Sequence, residues 1–319
     1  MLAVLGRDAG AGGAAMTAKF KRAPFPYFGG KSKVADDVWL RLGRPKQYIE
    51  PFCGSAAMLL AAPVVASLEV INDANFYVAN FWRALKHQPE RCAEWADYPV
   101  SHVDLDARHA WLTQPARTAA LRAQLADADW PGDSKIAGWW VWGQCCWIGS
   151  GWCEKEHRTS ATQAGACSSK IPHVSDAGRG VQSQIPHVSS AGMGQWFAAL
   201  AQRLQRVRVV HGSWDRCLNH HYGATETAVF LDPPYRAYEG LYAKEGQAPV
   251  ADDVCDWARD NAGIRIALCG HMGDYDLPGW EVMQWDRGRL TYGGGETTAE
   301  EAIWFSPACQ RGGRQGRLL

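Results

Sequence analysis

Two blocks of the sequence alternate short apolar segments with segments whose apolar residues recur at helical spacing. In the first block, three segments fit helices and two fit strands: 34–42, 56–62 and 76–85 for the helices, and 47–49 and 64–71 for the strands. In the second block, one segment fits a helix and five fit strands: 250–261 for the helix, and 207–210, 228–231, 264–269, 280–284 and 301–305 for the strands. Strands that alternate with helices predict an α/β fold, with a largely parallel sheet and helices on both faces.

The stretch between the two blocks has a different character. Residues 82–204 are rich in Trp, Gly, Ser and Cys and show little strand periodicity. Within them, residues 170–175 and 184–189 form a repeat with an offset of 14 residues. Two copies are too few for a solenoid, so we interpret them as a pair of similar loops or a short hairpin, or as a recent duplication without function.

This pattern predicts a domain organisation. We expect one catalytic domain built from residues 19–81 and 205–308, interrupted by an inserted module at 82–204. Residues 1–18 are low in complexity and predict a disordered lead-in, and residues 309–319 are rich in Gly and Arg and predict a flexible tail.

Charge is balanced, with 33 basic and 33 acidic residues. This balance argues weakly against a nucleic-acid-binding protein, because binding to phosphates favours a basic surface. Between Lys19 and Lys46, however, eight basic residues stand against two acidic ones. A nucleic-acid contact and a merely solvated basic face are both open interpretations of that stretch.

We expect a cytoplasmic protein without a membrane span. No apolar run approaches the roughly 20 residues that cross a bilayer, and the first 15 residues lack the apolar core of a signal peptide. The ten cysteines are then expected to be reduced thiols. No metal site is predicted from the irregularly spaced Cys and His residues of the middle stretch. These residues are Cys145, Cys146, Cys153, His157, Cys167 and His173.

Aromatic residues of the middle stretch have two interpretations. The tryptophans at 139, 140, 142, 147 and 152 are either stacking partners for an extruded base or packing residues of a small module, and packing is the more common role of Trp. Cys53 does not follow a proline directly, so we interpret it as a small buried residue, not as a nucleophile for cytosine carbon 5.

The most informative local motif follows one of the apolar segments. Residues 228–231 lead directly into Asp232-Pro233-Pro234-Tyr235. Proline fixes its own φ angle and pushes the preceding residue toward an extended backbone. We therefore expect a rigid loop at the carboxyl end of a strand, which is where ligands bind in open α/β sheets. An ordinary proline turn is the alternative.

Such a loop suits chemistry on the amino group of a base. That nitrogen is a poor nucleophile because its lone pair is delocalised into the ring. The Asp232 carboxylate and the Pro233 carbonyl oxygen are suited to accept its two hydrogens, which polarises the nitrogen toward attack. Tyr235 is suited to stack on a base that has left the duplex. Holding the nucleophile in line with a methyl donor supplies much of the rate.

Four segments together resemble the Dam-type adenine-specific DNA methyltransferases (the alpha group with the Asp-Pro-Pro-Tyr motif), including phage-borne ones. In chain order they are Tyr27-Phe28-Gly29-Gly30-Lys31, Tyr48-Ile49-Glu50-Pro51-Phe52-Cys53-Gly54-Ser55, Asn72-Asp73-Ala74-Asn75 and Asp232-Pro233-Pro234-Tyr235. The resemblance implies a Rossmann-like class I methyltransferase sheet with an inserted DNA-recognition module at 82–204.

The resemblance also implies roles for individual residues. Lys31, with Tyr27, would hold the methionine end of S-adenosyl-L-methionine through its carboxylate. Gly54 would allow close approach of the turn to the cofactor, and Asp73 would accept hydrogen bonds from the ribose hydroxyls. The implied cofactor-binding residues are Tyr27, Lys31, Glu50, Pro51, Phe52, Gly54, Asp73 and Asp232, and the implied catalytic residues are Asp232, Pro233, Pro234 and Tyr235.

Three of these residues have simpler alternatives. Lys31 could cap a surface turn, Asp73 could be the N-cap of the helix near Phe76, and Gly54 could serve the turn alone. The sequence also departs from the family in two places. Ser55-Ala56-Ala57 stands where relatives often have a second Gly, and Gly212-Ser213-Trp214 stands where they often have an acidic residue, although Asp215 is adjacent.

The resemblance implies methyl transfer from S-adenosyl-L-methionine to the exocyclic amino group of adenine in double-stranded DNA. Methyl transfer to the amino group of cytosine or to RNA is an alternative, since the same loop serves any planar amino nitrogen. A catalytically silent DNA- or cofactor-binding protein is another alternative. We expect a monomer, with a companion restriction nuclease left open. A nicotinamide-dependent dehydrogenase is not expected, because no G-x-G-x-x-G follows the first strand.

Overall fold

The computed structural model describes residues 20, 23–27, 31–147, 152–153, 191–218, 223, 226–235, 250–285 and 301–310. The strands are β1 (Gln47–Glu50), β2 (Leu68–Asp73), β3 (Val207–His211), β4 (Thr227–Leu231), β5 (Arg265–His271), β6 (Glu281–Trp285) and β7 (Glu301–Phe305). The helices are α1 (Ala35–Leu42), α2 (Ala57–Leu60), α3 (Phe76–His87), α4 (Pro89–Ala96), α5 (His102–Leu112), α6 (Pro115–Gln124), α7 (Ser134–Cys146), α8 (Ala191–Leu204) and α9 (Val250–Asp260). A short 3-10 helix spans Trp214–Cys217.

The described strands form one seven-stranded sheet in the order β3-β2-β1-β4-β5-β7-β6. The first five in that order are parallel to one another, and β7 runs antiparallel to both β5 and β6. Strands β1, β4, β5 and β7 are buried along their whole length or nearly so. This burial explains the apolar runs in the sequences of β4, β5 and β7. The predicted α/β fold is confirmed, and it is a Rossmann-like methyltransferase architecture.

The order of the strands reverses between β1 and β4. From β1 the chain builds β2 and β3 on one side, then returns to add β4 and β5 on the other side. Connections that diverge in this way leave a crevice at the carboxyl ends of the two central strands, and ligands of open α/β sheets bind there. Residues 51–54 follow β1, Asp73 ends β2, and residues 232–235 follow β4, so these predicted site residues map to this edge.

Both faces of the sheet are covered by apolar side chains. On one face the core continues from the sheet through α1 and α3 into α4, α7 and α8, with Trp82, Trp140 and Phe197 fully buried. On the other face α9 packs its Val254 and Ala258 against β4 and β5. The helices of the middle stretch therefore share a core with the sheet through α3.

Most of the predicted elements are confirmed, with two shifts near α2. The predicted helix 56–62 is shorter because Ala56 adopts φ +51°, which is outside the helical region. The predicted strand at 64–71 begins only at Leu68. Val64 and Ala66 are buried without strand pairing, and the N–H of Ala66 donates to the Glu69 carboxylate instead of to a neighbouring strand. Burial, not pairing, explains why these positions are apolar.

Several predictions fall wholly or partly on residues that are not described. The lead-in at 1–18, the tail beyond residue 310 and nearly all of the repeat segment 170–194 lie outside the described residues. The regular secondary structure in the described parts of 82–204 is helical, and the division into a catalytic domain and an inserted module stays a prediction. Among the described residues, no helix is long and apolar enough to cross a membrane.

Candidate active site

The turn after β1 is built around Gly54. Its φ angle is +44°, and a Cβ at this position would collide with the ring of Tyr27. The Gly54 carbonyl oxygen accepts a hydrogen bond from Trp82 Nε1 at 2.8 Å. Gly54 is therefore required by a close approach to Tyr27 as well as by the turn, and the two segments that resemble the family at residues 27–31 and 48–55 come into contact here.

Asp73 ties the end of β2 to this turn. Its Oδ2 accepts from the Gly54 N–H at 2.9 Å, and its Oδ1 accepts from the Asn75 N–H at 2.8 Å. Burial raises the pKa of Asp73 to about 6, although these two N–H donors act in the opposite direction. The N-cap of α3 is Asn75, whose side chain accepts from the Tyr77 N–H, so the N-cap alternative for Asp73 is wrong.

Asn72 holds the turn from beneath. Its Nδ2 donates to the carbonyl oxygens of Pro51 and Gly212, at 2.9 Å and 3.1 Å, and so joins the loops that follow β1 and β3. The ring of Phe52 stacks on that of Trp214 at 6.3 Å between centroids. In the Gly212-Ser213-Trp214 stretch, Ser213 stands where the family often has an acidic residue, and the nearby Asp215 is exposed.

Glu50 points into the protein from the end of β1. It is 2% exposed, and its Oε2 accepts from the Tyr48 hydroxyl at 3.0 Å and from the Leu59 N–H at 3.1 Å. Burial raises the pKa of Glu50 to about 8, against the opposing effect of the two donors. At neutral pH most Glu50 side chains are therefore uncharged, and the structure places Glu50 below the turn, where it supports α2.

The centre of the site is the contact between Lys31 and Asp232. Lys31 Nζ donates to both carboxylate oxygens of Asp232, each at 2.8 Å, and to the hydroxyl oxygen of Tyr235 at 2.9 Å. Lys31 is 2% exposed, so the surface-turn alternative for this residue is wrong. Burial by itself would lower the pKa of Lys31, but the nearby carboxylates, Asp232 above all, outweigh it and raise the pKa.

The loop after β4 is held from several sides. Tyr235 is 7% exposed, and its ring packs edge-on against that of His271 at 4.6 Å between centroids. Pro233 is buried and Asp232 is partly exposed. The predicted pairing of Lys31 with the cofactor carboxylate and the predicted stacking of Tyr235 on a base both stay predictions. In the structure, Lys31 contacts Asp232 and Tyr235, which belong to the loop after β4.

Two residues of this cluster were not predicted from the sequence. Glu301, at the start of β7, has Oε2 at 3.9 Å from Lys31 Nζ and is 2% exposed. Cys269 on β5 is fully buried, and burial, followed by the charge of Asp232, raises the pKa of its thiol. The sequence did contain a signal for Glu301, because it is a glutamate at the start of an apolar strand. A charged residue in that position is rarely buried without a partner, so its position indicates a buried ion pair.

Other predicted features lie away from this edge or outside the described residues. Trp140, Trp142 and Trp152 are buried in the shared core, which favours packing for these three. His157, Cys167 and His173 lie outside the described residues. The described residues contain no group of three or more Cys, His, Asp or Glu side chains that could hold a metal ion.

The basic stretch between Lys19 and Lys46 does not form one functional face. Lys31 is buried in the site, whereas Lys33 and Arg44 are exposed. Arg41 forms an ion pair with Glu281 on β6. Of the basic residues that the structure describes in this stretch, Lys31 alone reaches the crevice between β1 and β4.

Comparison with known families yields one match. Residues 27–106 match the family model of the D12 class N6 adenine-specific DNA methyltransferases. The matched segment contains Lys31 and the contacts of Gly54 with Tyr27 and Asp73, and it ends within α5. It therefore includes three of the four segments that carry the resemblance. Asp232 lies beyond it. No curated protein matches the chain.

Proposed function

We propose that this chain is an S-adenosyl-L-methionine-dependent DNA methyltransferase that acts on the exocyclic amino group of adenine. The observation that carries the proposal is the position of Asp232. It follows β4 at the reversal of strand order, next to the turn after β1, and its carboxylate is partly exposed there. The family match over residues 27–106 supports adenine in DNA as the substrate.

The residues at this edge fit S-adenosyl-L-methionine. Gly54 has no side chain, so the ring of Tyr27 can lie directly against the turn after β1. Asp73 is partly exposed at the end of β2, and two N–H donors fix its orientation. A carboxylate has about four acceptor sites, so Asp73 retains capacity for two ribose hydroxyls. When bound, the cofactor supplies an electrophilic methyl group on a positively charged sulfur, which suits an edge that carries Asp73 and Asp232.

The loop after β4 provides the acceptors that the reaction needs. Asp232 accepts one hydrogen of the target amino group, and the Pro233 carbonyl oxygen accepts the other. Neither Pro233 nor Pro234 has an N–H, so no backbone donor of these two residues competes with the amino group. The nitrogen lone pair is thereby directed at the methyl group, and the fixed geometry of the loop keeps the reacting atoms in line.

Target recognition is assigned to residues 82–204. They lie between the two halves of the sheet in the sequence, and their helices α4, α7 and α8 are anchored on α3, whose first turn begins beside Asp73. We propose that this region positions double-stranded DNA and that the repeat at 170–194 contributes to the choice of target site. Exchange of that segment between relatives with different targets tests the assignment, and an unchanged target after the exchange would refute it.

The first experiment measures where the methyl group goes. Purified protein is incubated with labelled methyl donor and unmethylated duplex DNA, and the product is digested to nucleosides. We expect label in methylated adenosine. We expect Asp232→Ala to lower the rate at least about 100-fold, as the loss of a key polar group in an active site commonly does. Asp256→Ala, an exposed aspartate on α9, is the control for loss of an acidic side chain.

Each alternative gives a different result. Label in cytidine would keep the chemistry and change the substrate. Binding of the cofactor without transfer to DNA would favour RNA as the substrate, which the same assay with RNA decides. Binding without transfer to either nucleic acid would favour a silent binding protein and refute the proposed activity. Because Asp232→Ala removes the partner of a buried lysine, the Asp232→Asn chain is tested beside it for folding and cofactor binding.

A further inference from the structure

Lys31 lies between two carboxylates that belong to different strands of the sheet. Its Nζ is 2.8 Å from each carboxylate oxygen of Asp232 and 3.9 Å from Oε2 of Glu301. Lys31 and Glu301 are each 2% exposed, whereas Asp232 is 17% exposed. Asp232 therefore faces the crevice, and Glu301 lies behind Lys31, away from solvent.

This arrangement conflicts with what the proposed reaction needs from Asp232. Both of its oxygens already accept hydrogen bonds from the Lys31 ammonium group. A carboxylate that is neutralised by an ammonium group at this distance is a weaker acceptor for the amino group of a base. For Asp232 to polarise the target nitrogen fully, the ammonium group has to weaken its contact with Asp232 without becoming an unpaired buried charge.

We propose that Glu301 is a positioning residue that takes over the Lys31 ammonium group when the target base engages Asp232. A movement of Nζ by about 1 Å toward Glu301 brings the pair to the usual distance of a charged hydrogen bond. The inference rests on the proposed function, because it assigns Asp232 to the target amino group. Glu301 lies outside the four segments that carry the family resemblance.

The sheet keeps Glu301 in a fixed position. Glu301 opens β7 and pairs with His271 on β5 and with Trp285 on β6. The same His271 packs against Tyr235 in the loop that contains Asp232. Both carboxylates are therefore attached to one sheet, at β7 and just after β4, with β5 between these two strands. The movable part of the cluster is the long side chain of Lys31.

The surrounding groups leave Glu301 as a second anion for Lys31. Tyr235 follows β4 and accepts from Lys31 through its hydroxyl oxygen. Cys269 on β5 also faces the cluster, and burial raises the pKa of its thiol, which keeps it neutral. Glu50 on β1 faces Asp232 and has a pKa raised by burial to about 8. The charge of Glu301 is among the causes that raise the pKa of Lys31.

Glu301→Gln tests the proposal. The change keeps the size of the side chain and removes its charge, so Lys31 stays on Asp232. We expect kcat to fall about 10- to 100-fold, the usual effect of losing one charged hydrogen bond in a transition state, while the Kd for the cofactor changes less than about twofold. Glu69→Gln is the control, because Glu69 is equally buried but pairs with Arg203 at a distance from Lys31.

A second readout separates this role from a structural one. Loss of the Glu301 charge lowers the pKa of Lys31, and deprotonation of Lys31 at alkaline pH releases Asp232, so the loss of kcat in Glu301→Gln relative to wild type should shrink as the pH rises. A merely structural defect lowers kcat by the same factor at every pH. In a Lys31→Met chain, which has no ammonium group to transfer, Glu301→Gln is expected to cause no further loss of kcat.

The outcomes that overturn the proposal are distinct. Wild-type kcat for Glu301→Gln, or a loss of kcat that is the same at every pH, would refute it, as would an equal loss of kcat in the Lys31→Met chain. If Glu301→Gln fails to fold, Glu301→Asp keeps the charge and withdraws the carboxylate, and a folded chain of this kind with wild-type kcat would also refute the proposal. If the wild-type chain methylates no nucleic acid, the proposed function fails, and this inference fails with it.

Discussion

Replacement of Glu50 by Gln is expected to stabilise the protein at neutral and alkaline pH. Glu50 is 2% exposed, and burial raises its pKa from 4.5 to about 8. Gln has the same shape, and its carbonyl oxygen still accepts from the Tyr48 hydroxyl and the Leu59 N–H. The variant therefore removes the titration of Glu50 and leaves its packing and hydrogen bonds in place.

The sign follows from the direction of the pKa shift. A carboxyl group whose pKa is raised on folding binds its proton more tightly in the folded state than in the unfolded state. Its contribution to stability is present below a pH of about 4.5 and is lost as the pH rises toward 8. A shift of this size corresponds to about 5 kcal/mol as an upper value, at about 1.36 kcal/mol for each pKa unit. Gln does not titrate, so this loss is absent in the variant.

Urea unfolding at about pH 5 and about pH 8 measures the effect. The wild-type protein is expected to lose a few kcal/mol more than Glu50→Gln between these two conditions. Glu94→Gln, on the exposed face of α4, is the control for the removal of one carboxylate from the surface. If wild type and Glu50→Gln lose stability in parallel, or if Glu50→Gln is the less stable chain at the higher pH, the reasoning is wrong.

Two further predictions concern the turn after β1 and the buried ion pair beside it. Gly54→Ala should lower the free energy of unfolding by about 1–3 kcal/mol and weaken cofactor binding, because the added Cβ would collide with the ring of Tyr27. Gly279 also has a positive φ angle, but a Cβ there would lie in open space, so Gly279→Ala should lower the stability in thermal unfolding by less than Gly54→Ala does and leave cofactor binding unchanged. Equal effects of the two substitutions on stability and on cofactor binding would contradict this prediction. Arg203→Met leaves Glu69 buried without its ion pair and should cost about 3–5 kcal/mol in urea unfolding. The double change Arg203→Met/Glu69→Leu should recover much of that loss, and no recovery would contradict the reasoning.

Local patterns were sufficient to predict the loop that contains Asp232. The apolar run before it forms β4, whose five residues are all buried. The two prolines after it carry no N–H, so the strand ends there for a reason that is visible in the sequence. The start of α3 near Phe76 was also predicted, but its N-cap was not: the sequence offered Asp73, whereas Asn75 serves as the N-cap.

Local patterns were misleading where burial and strand pairing differ. Val64 and Ala66 are apolar and buried, yet they precede β2 and do not belong to it. A short apolar run indicates burial, but it does not specify which backbone groups will pair. The helices of residues 82–204 were not predicted individually, because an all-round apolar helix such as α7 lacks the one-sided pattern of a surface helix.

The sequence by itself determined the alternation of strands and helices, the loop after β4 and the set of segments that carry the family resemblance. These features depend on residues close together in the chain, where hydrophobic period and proline geometry act directly. Only the tertiary structure decided that Lys31 contacts Asp232, 201 residues away, and that Glu301 lies behind them. Those contacts follow from the order of the strands in the sheet, and that order depends on long-range packing, which no local period specifies.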